Sequence, residues 1–130
     1  MALHTNSQCV LDHGGYTGTM VTSNCFVSAS GQPSNAECGI SGSNGSFGAQ
    51  FNRNGGGVYA MEWGSEDVKI WFFPRAHIPS DIAGRGQVDP QNWGIPTARF
   101  YGDCRVSASL GPQRLVSNLP FANSQSTKAL

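Results

Sequence analysis

Two short runs of residues, Val58 to Trp63 (VYAMEW) and Val68 to Phe73 (VKIWFF), flank the turn-forming tetrad Gly64-Ser65-Glu66-Asp67. In an extended chain successive side chains point to opposite sides, and two β-rich runs joined by four turn residues close an antiparallel hairpin. In the first run Tyr59, Met61 and Trp63 share one face, and Val58, Ala60 and Glu62 share the other. Both faces of the hairpin carry large apolar groups, which places it inside a sandwich or along a groove. Nowhere in the chain do apolar residues recur at helical spacing without Gly or Pro interrupting. The chain is therefore expected to be all-β, in one domain with long connections. Ala2 to Thr5, Thr97 to Tyr101 and Arg114 to Leu119 read as further strands. Gly31 to Gly57 reads as loops with strand pieces around Phe47 to Phe51. Pro74 to Pro96 is too rich in Pro and Gly for a regular element, apart from one helical turn at Ile78 to Ile82.

Composition narrows the function classes. The 130 residues suit a single domain. Only 12% of them are charged, against about 25% in ordinary soluble domains, and Ser, Asn, Thr and Gly take the place of the missing charge. A formal net charge of zero leaves no electrostatic footprint for nucleic acid. No apolar stretch reaches the roughly 18 residues of a membrane helix. The first residues, Met1 to Asn6, lack the basic start and apolar core of a secretory leader. Four cysteines in so short a chain, with abundant Ser, Asn and Gly, nevertheless look like an exported protein. The sequon Asn44-Gly45-Ser46 lies in a loop-like stretch. The reading that reconciles these features is a piece of a longer exported precursor.

A search for chemistry finds few groups. Hydrolysis of a glycoside needs two carboxyl groups about 5–5.5 Å apart for retention or about 6.5–9.5 Å apart for inversion. Acids at alternate strand positions would provide such a pair, but no E-x-D or E-x-E occurs among the eight Asp and Glu. Glu66 and Asp67 fall in the turn, where acids are solvated. Glu62 lies within an apolar strand, so it needs a hydrogen-bond partner or an open groove. His4, Cys9, His13 and Cys25 lack the paired spacing of a zinc site, which makes disulfides the simpler use of the cysteines, with three pairings open. There is no nucleophile elbow and no phosphate loop. Tyr59, Trp63, Trp71 and Trp93 are flat plates with one polar edge, suited either to core packing or to stacking on sugar rings.

The run Asn54-Gly55-Gly56-Gly57-Val58-Tyr59-Ala60-Met61-Glu62-Trp63 is followed by Val68-Lys69-Ile70-Trp71-Phe72-Phe73-Pro74-Arg75 and Ile78-Pro79-Ser80-Asp81-Ile82. Leu3-His4-Thr5 stands upstream and Trp93-Gly94-Ile95-Pro96-Thr97-Ala98-Arg99-Phe100 downstream. Over residues 2 to 116 this series closely resembles the fungal secreted branch of glycoside hydrolase family 16, the laminarinase-like endo-β-1,3(4)-glucanases. The resemblance implies a concanavalin-like β-jelly-roll sandwich, incomplete relative to the family, with an aromatic-lined cleft for an extended β-glucan. It also implies an extracellular location and a retaining two-Glu mechanism without metal or cofactor. The family carries its acids as E-x-D-x-x-E shortly upstream of the segment matching Leu3-His4-Thr5, and this sequence contains no such motif.

No catalytic residue is therefore assigned. His4 matches a histidine beside the family's carboxylates. With Tyr59, Glu62, Trp63, Trp71, Arg75 and Trp93 it makes up the expected sugar-contacting set. The partner so implied is a β-glucan polymer or oligosaccharide, with no membrane partner, and self-association is expected through exposed strand edges. The expected organisation is a sandwich portion over 1–116 and a divergent flexible tail over 117–130. In place of the family's Phe-Cys-Gly-Asp-Trp-Ala-Gly stretch, Ser117 to Asn123 carry neither its Cys nor its Trp, which implies a Cys104 left without its partner. The function expected is a non-catalytic fragment or paralogue with residual glucan binding. The alternatives are a binding or signalling protein on a jelly-roll scaffold and a truncated piece of an active secreted glucanase.

Overall fold

The computed structural model describes residues 1–84, 86–104 and 106–110. Eight strands are present: β1 (Ala2–Leu3), β2 (Val10–Leu11), β3 (Thr19–Thr22), β4 (Cys38–Ser41), β5 (Gly57–Trp63), β6 (Val68–Pro74), β7 (Ala98–Phe100) and β8 (Gly102–Asp103). Long connections join them, carrying α1 (Gly48–Arg53), α2 (Ser80–Ala83) and 3-10 turns at Arg75–His77 and Pro90–Asn92, and α3 (Val106–Ser109) follows β8. The stretch from Pro74 to Pro96 thus holds more helical turns than the one expected. The strands form sheets of order β1-β4-β3, β2-β8 and β5-β6-β7. The all-β expectation holds. The expected strand at Arg114 to Leu119 and the tail from 117 lie outside the described residues.

The hairpin forms as its alternation requires. β5 and β6 pair antiparallel from Gly57↔Pro74 to Trp63↔Val68, and β7 joins through Val68↔Phe100, Lys69↔Arg99 and Ile70↔Ala98. Residues directly opposite each other share a face. One face of this sheet therefore carries Tyr59, Met61, Trp63, Val68, Ile70, Phe72, Ala98 and Phe100. On the β6–β7 side it is core, with Val68, Ala98 and Phe100 buried among Cys9, Leu11, Ile40, Val106 and Leu110. On β5 it emerges, leaving Tyr59, Met61 and Trp63 nearly half exposed. The opposite face carries Glu62, Lys69, Trp71, Phe73 and Arg99.

The two other sheets wrap the core. Chain passage between β4 and β7 is tight at Gly18, where a Cβ would stand 2.6 Å from both the Ser41 and Thr97 carbonyl oxygens. Only glycine fits, and its N–H donates to Thr97 O at 2.9 Å. Gly18→Ala is expected to force these backbones apart.

Three expectations are corrected. Cys104 is not left over: it bonds Cys9, and Cys25 bonds Cys38. Antiparallel pairing of Val10 with Asp103 brings the neighbouring cysteines together, so the absence of a later cysteine leaves nothing unpaired. Phe47 to Phe51 is not a strand but the start of α1. Phe51 N–H donates to Phe47 O, and the Phe51 ring packs 5.9 Å from Phe72, a contact that an i, i+4 turn provides. Asp67 is not solvated but buried, because the turn folds its carboxylate onto Arg99.

Candidate functional site

The polar and aromatic side chains gather on the Trp71 face of the hairpin. Trp71 is 3% exposed, and its indole N–H donates to Gly94 O at 3.0 Å. Trp93 stands edge-on to it, with ring centroids 5.2 Å apart at 84°, and edge-on to Phe73 at 5.7 Å and 80°. Pro and Gly prevent regular structure between α2 and β7, so polar contacts hold this connection. Asp81 Oδ2 accepts the Trp93 indole N–H at 2.8 Å and the Asp89 amide at 2.8 Å, while Oδ1 accepts the Ile82 amide at 3.0 Å. Asp89 in turn accepts from the Gln91 amide and from Asn92 Nδ2. The Asp89 amide above all, with the Trp93 indole and the Ile82 amide, holds the Asp81 carboxyl below its ordinary value against a smaller opposing effect of burial. Trp71, Phe73 and Trp93 line a cavity of 330 Å³ together with Asn44, Ile95 and Thr97. That volume is at the small end of ligand sites, which run from about 300 to 1,000 Å³.

The Asp81–Trp93 bond yields a prediction. A depressed folded-state value means that its stabilisation is present above the unfolded carboxylate value of about 3.9 and is lost as pH falls through the lower folded value. The Trp93 indole N–H resonance is therefore expected to stay put from neutral pH down to mildly acid solution and to move only in strong acid. Asp89, the titratable neighbour, contacts Asp81 through its backbone. In Asp81→Ala the resonance sits at the solvent-exposed position at every pH. An indole signal unchanged by that substitution would refute the clamp.

Further along the same face a charged ladder continues the hairpin. Lys69 Nζ lies 2.8 Å from Glu62 and 3.7 Å from Asp67, and Arg99 Nε donates to Asp67 at 2.7 Å. The Arg99 guanidinium also lies 4.3 Å from the Tyr101 ring centre. Glu62 thus has the partner that its place in an apolar strand demanded. The Lys69 ammonium is shared between the Glu62 and Asp67 carboxylates.

The expected sugar-contacting set divides. Trp71 and Trp93 meet, and Glu62 shares their face of the hairpin. Tyr59 and Trp63 point from the opposite face. Tyr59 donates its hydroxyl to Ser46 O and lines a separate 810 Å³ groove with Val21, Pro33 and Phe47. His4 is exposed and stands 3.8 Å from Glu37. Arg75 donates to Gly55 O and is exposed at the hairpin's far end. The sequence reading missed Asp81. An acid in the first turn of α2, eight residues before a second acid that caps a Pro-led turn, is the only signal that marks it. Sulfur atoms of Cys9, Cys25 and Cys104 come within 4.8 Å of one another, but all three belong to disulfides. No helix among the described residues is long and apolar enough to cross a membrane.

Comparison with known proteins places these features in a family. The profile described as "XgeA-like, catalytic GH16 domain" matches residues 1–129. An endo-1,3(4)-beta-glucanase of Arthroderma benhamiae is 41% identical over 124 residues, which is 92% of this chain and 27% of that protein. Among solved structures, an elongating GH family 16 beta-1,3-glucosyltransferase has a TM-score of 0.78 at 38% identity, covering 86% of this chain and 36% of its own. Laminarinase 16A from Phanerochaete chrysosporium, solved with 6-O-glucosyl-laminaritriose in both donor and acceptor sites, has a TM-score of 0.75 at 37% identity, covering 83% of this chain and 37% of its own. This chain thus spans about a quarter of the length of the Arthroderma relative and just over a third of those two solved chains. The strands described above are a portion of the GH16 jelly roll. A profile match over nearly every residue, and a fold shared at well over a third identity, mean that the chain belongs to the XgeA-like catalytic GH16 domain family.

Proposed function

We propose that this chain is a β-glucan-gripping portion of an extracellular GH16 domain and has no cutting chemistry among its own carboxylates. The observation that carries the reading is the Trp71–Trp93 pair, fixed edge to face beside a 330 Å³ cavity and next to the ladder of Glu62, Lys69 and Arg99. Trp71 is buried and backs Trp93, so the partly exposed Trp93 ring offers its apolar face to the C–H groups of glucose, while polar groups alongside take its hydroxyls. The solved relative with 6-O-glucosyl-laminaritriose in its sites supports a β-1,3-linked glucan as the ligand class.

The catalytic half of the proposal rests on where the eight acids stand. Glu62 and Asp67 are held by Lys69, Asp67 also by Arg99, and Asp81 and Asp89 by the Trp93 connection. Glu37 stands by His4, and Asp12, Glu66 and Asp103 are exposed on separate elements. The held carboxylates are committed to cations, amides and an indole, whereas a retaining hydrolysis uses two carboxyl groups facing one sugar about 5–5.5 Å apart. Where the family's E-x-D-x-x-E acids stand on another strand of the same domain, this portion supplies grip and they supply the chemistry. The half-exposed apolar row of Tyr59, Met61 and Trp63 on the edge strand β5 favours self-association when the chain is alone.

Affinity electrophoresis through laminarin, with reducing ends assayed in parallel, tests both halves. The expected result is retarded migration without release of reducing ends, and binding weakened about tenfold or more in Trp93→Ala. Unretarded migration would overturn the binding half, and steady turnover of laminarin would overturn the non-catalytic half.

A further inference from the structure

The sequon Asn44-Gly45-Ser46 is not accounted for by the site, yet the fold brings it there. Asn44 sits in an exposed turn between β4 and α1 and lines the 330 Å³ cavity together with Trp71 and Trp93. We propose that Asn44 is an N-glycan acceptor and that its glycan lies across the mouth of the Trp71–Trp93 cavity, covering it. The covering has its functional meaning only if the glucan-gripping reading above is right, whereas the attachment and the geometry do not depend on it.

Three observations converge. A sequon is used when it lies on a surface turn, and Asn44 is exposed. The two disulfides, Cys9–Cys104 and Cys25–Cys38, point to passage through the oxidising compartment where such acceptors meet their donor. Lastly, Gly45 and Ser46 fix where the glycan leaves the surface. Gly45 turns the chain at φ +90°, and the Ser46 hydroxyl donates to Ser43 O at 2.7 Å while its residue is 1% exposed. Tyr59 OH donates to Ser46 O, tying the turn to the hairpin. The attachment point is thus held still relative to the two tryptophans.

Chemically, Asn44 Nδ2 forms a bond to the anomeric carbon of a lipid-pyrophosphate-linked oligosaccharide. The bond from that carbon to phosphate oxygen breaks, the lipid pyrophosphate leaves, and the amide gives up one proton. The Ser46 hydroxyl of the sequon is buried once the turn has closed, so attachment precedes closure of this turn.

The test exports the full chain in two hosts that both form disulfides, a yeast that attaches N-glycans and a bacterial periplasm that does not. The expected result is a slower gel band from yeast that an N-glycosidase collapses to the bacterial position and that is absent in Asn44→Gln. A single band identical in both hosts overturns the proposal. Acrylamide quenching of tryptophan emission, measured in a Trp63→Phe background because Trp63 is exposed on the opposite face, then reads the covering without any glucan: quenching is expected to be lower in the glycosylated chain and to rise on enzymatic removal. Equal quenching overturns the covering. Laminarin gels add the consequence, with the yeast form retarded less than the periplasmic chain until the glycan is removed. If the periplasmic chain itself is not retarded, the glucan reading fails, while the band shift and the quenching still decide this inference.

Discussion

Cys9→Ala combined with Cys104→Ala is expected to remove a third or more of the folding stability of this chain. The two cysteines are 95 residues apart, and releasing a loop of about that length returns roughly 4.7 kcal/mol of entropy to the unfolded chain. A small domain has only about 5–15 kcal/mol in total. The bond also fastens β2 to β8, a pairing of only two residues per strand. Removing Cys25–Cys38, whose separation is 13, is expected to cost about 3 kcal/mol by the same relation. Urea unfolding of the two double variants should therefore rank them, with the Cys9/Cys104 variant unfolding at the lower midpoint. The reverse order would mean that loop length does not govern the contribution of these bonds.

Asp67→Ala is the second large effect, at about 2–3 kcal/mol. Its carboxylate is buried, accepts from Arg99 at 2.7 Å and lies 3.7 Å from Lys69. Without it Arg99 keeps only the face of Tyr101, and Lys69 keeps only Glu62. Both cations retain some contact with water, which is why the cost falls below that of a fully buried pair. Asp67→Asn keeps an oxygen for Arg99 and is expected to lose about half as much. Thermal melts at low and high salt separate this from a surface ion pair: a screened surface pair would lose its effect at high salt, while the Asp67 effect should persist. A cost under about 0.5 kcal/mol, typical of surface positions, would show that the ladder is ornamental.

The hairpin was legible because seven residues in each strand carry a regular pattern and a turn of fitting length joins them. The strands that escaped notice are those whose pattern is too short to read. β2 and β8 have two residues each, and β4 is Cys-Gly-Ile-Ser in a stretch of loop-forming residues. Their partners, not their own preferences, make them strands. Phe47 and Phe51 misled for the opposite reason. Two aromatics four apart fit a strand face or a helix face equally, and the Phe72 ring, which lies far along the chain, decides between them.

The site was legible as a set of residue types and not as a place. Family resemblance gathered His4, Tyr59, Glu62, Trp63, Trp71, Arg75 and Trp93 into one list. Strand parity alone separates Tyr59 and Trp63 from Glu62 and Trp71, and that much was already in the sequence. The Trp71–Trp93 meeting was not, since it depends on how Asp81 and Asp89 fold an irregular connection. Nor could Asp67 be read as buried, because Arg99, which buries it, follows 32 positions later.

Seen as a sequence of events in time, the hairpin and the β2–β8 pair stand at opposite extremes. Neighbouring strands joined by a four-residue turn close in about 1–10 µs. Two dipeptides near opposite ends of the described chain must instead find each other by diffusion, and contacts so far apart put folding in the millisecond-to-second range. The nascent polypeptide therefore holds a finished aromatic hairpin, with one apolar side open, long before its ends are fastened. It is during that interval that a chaperone would be needed.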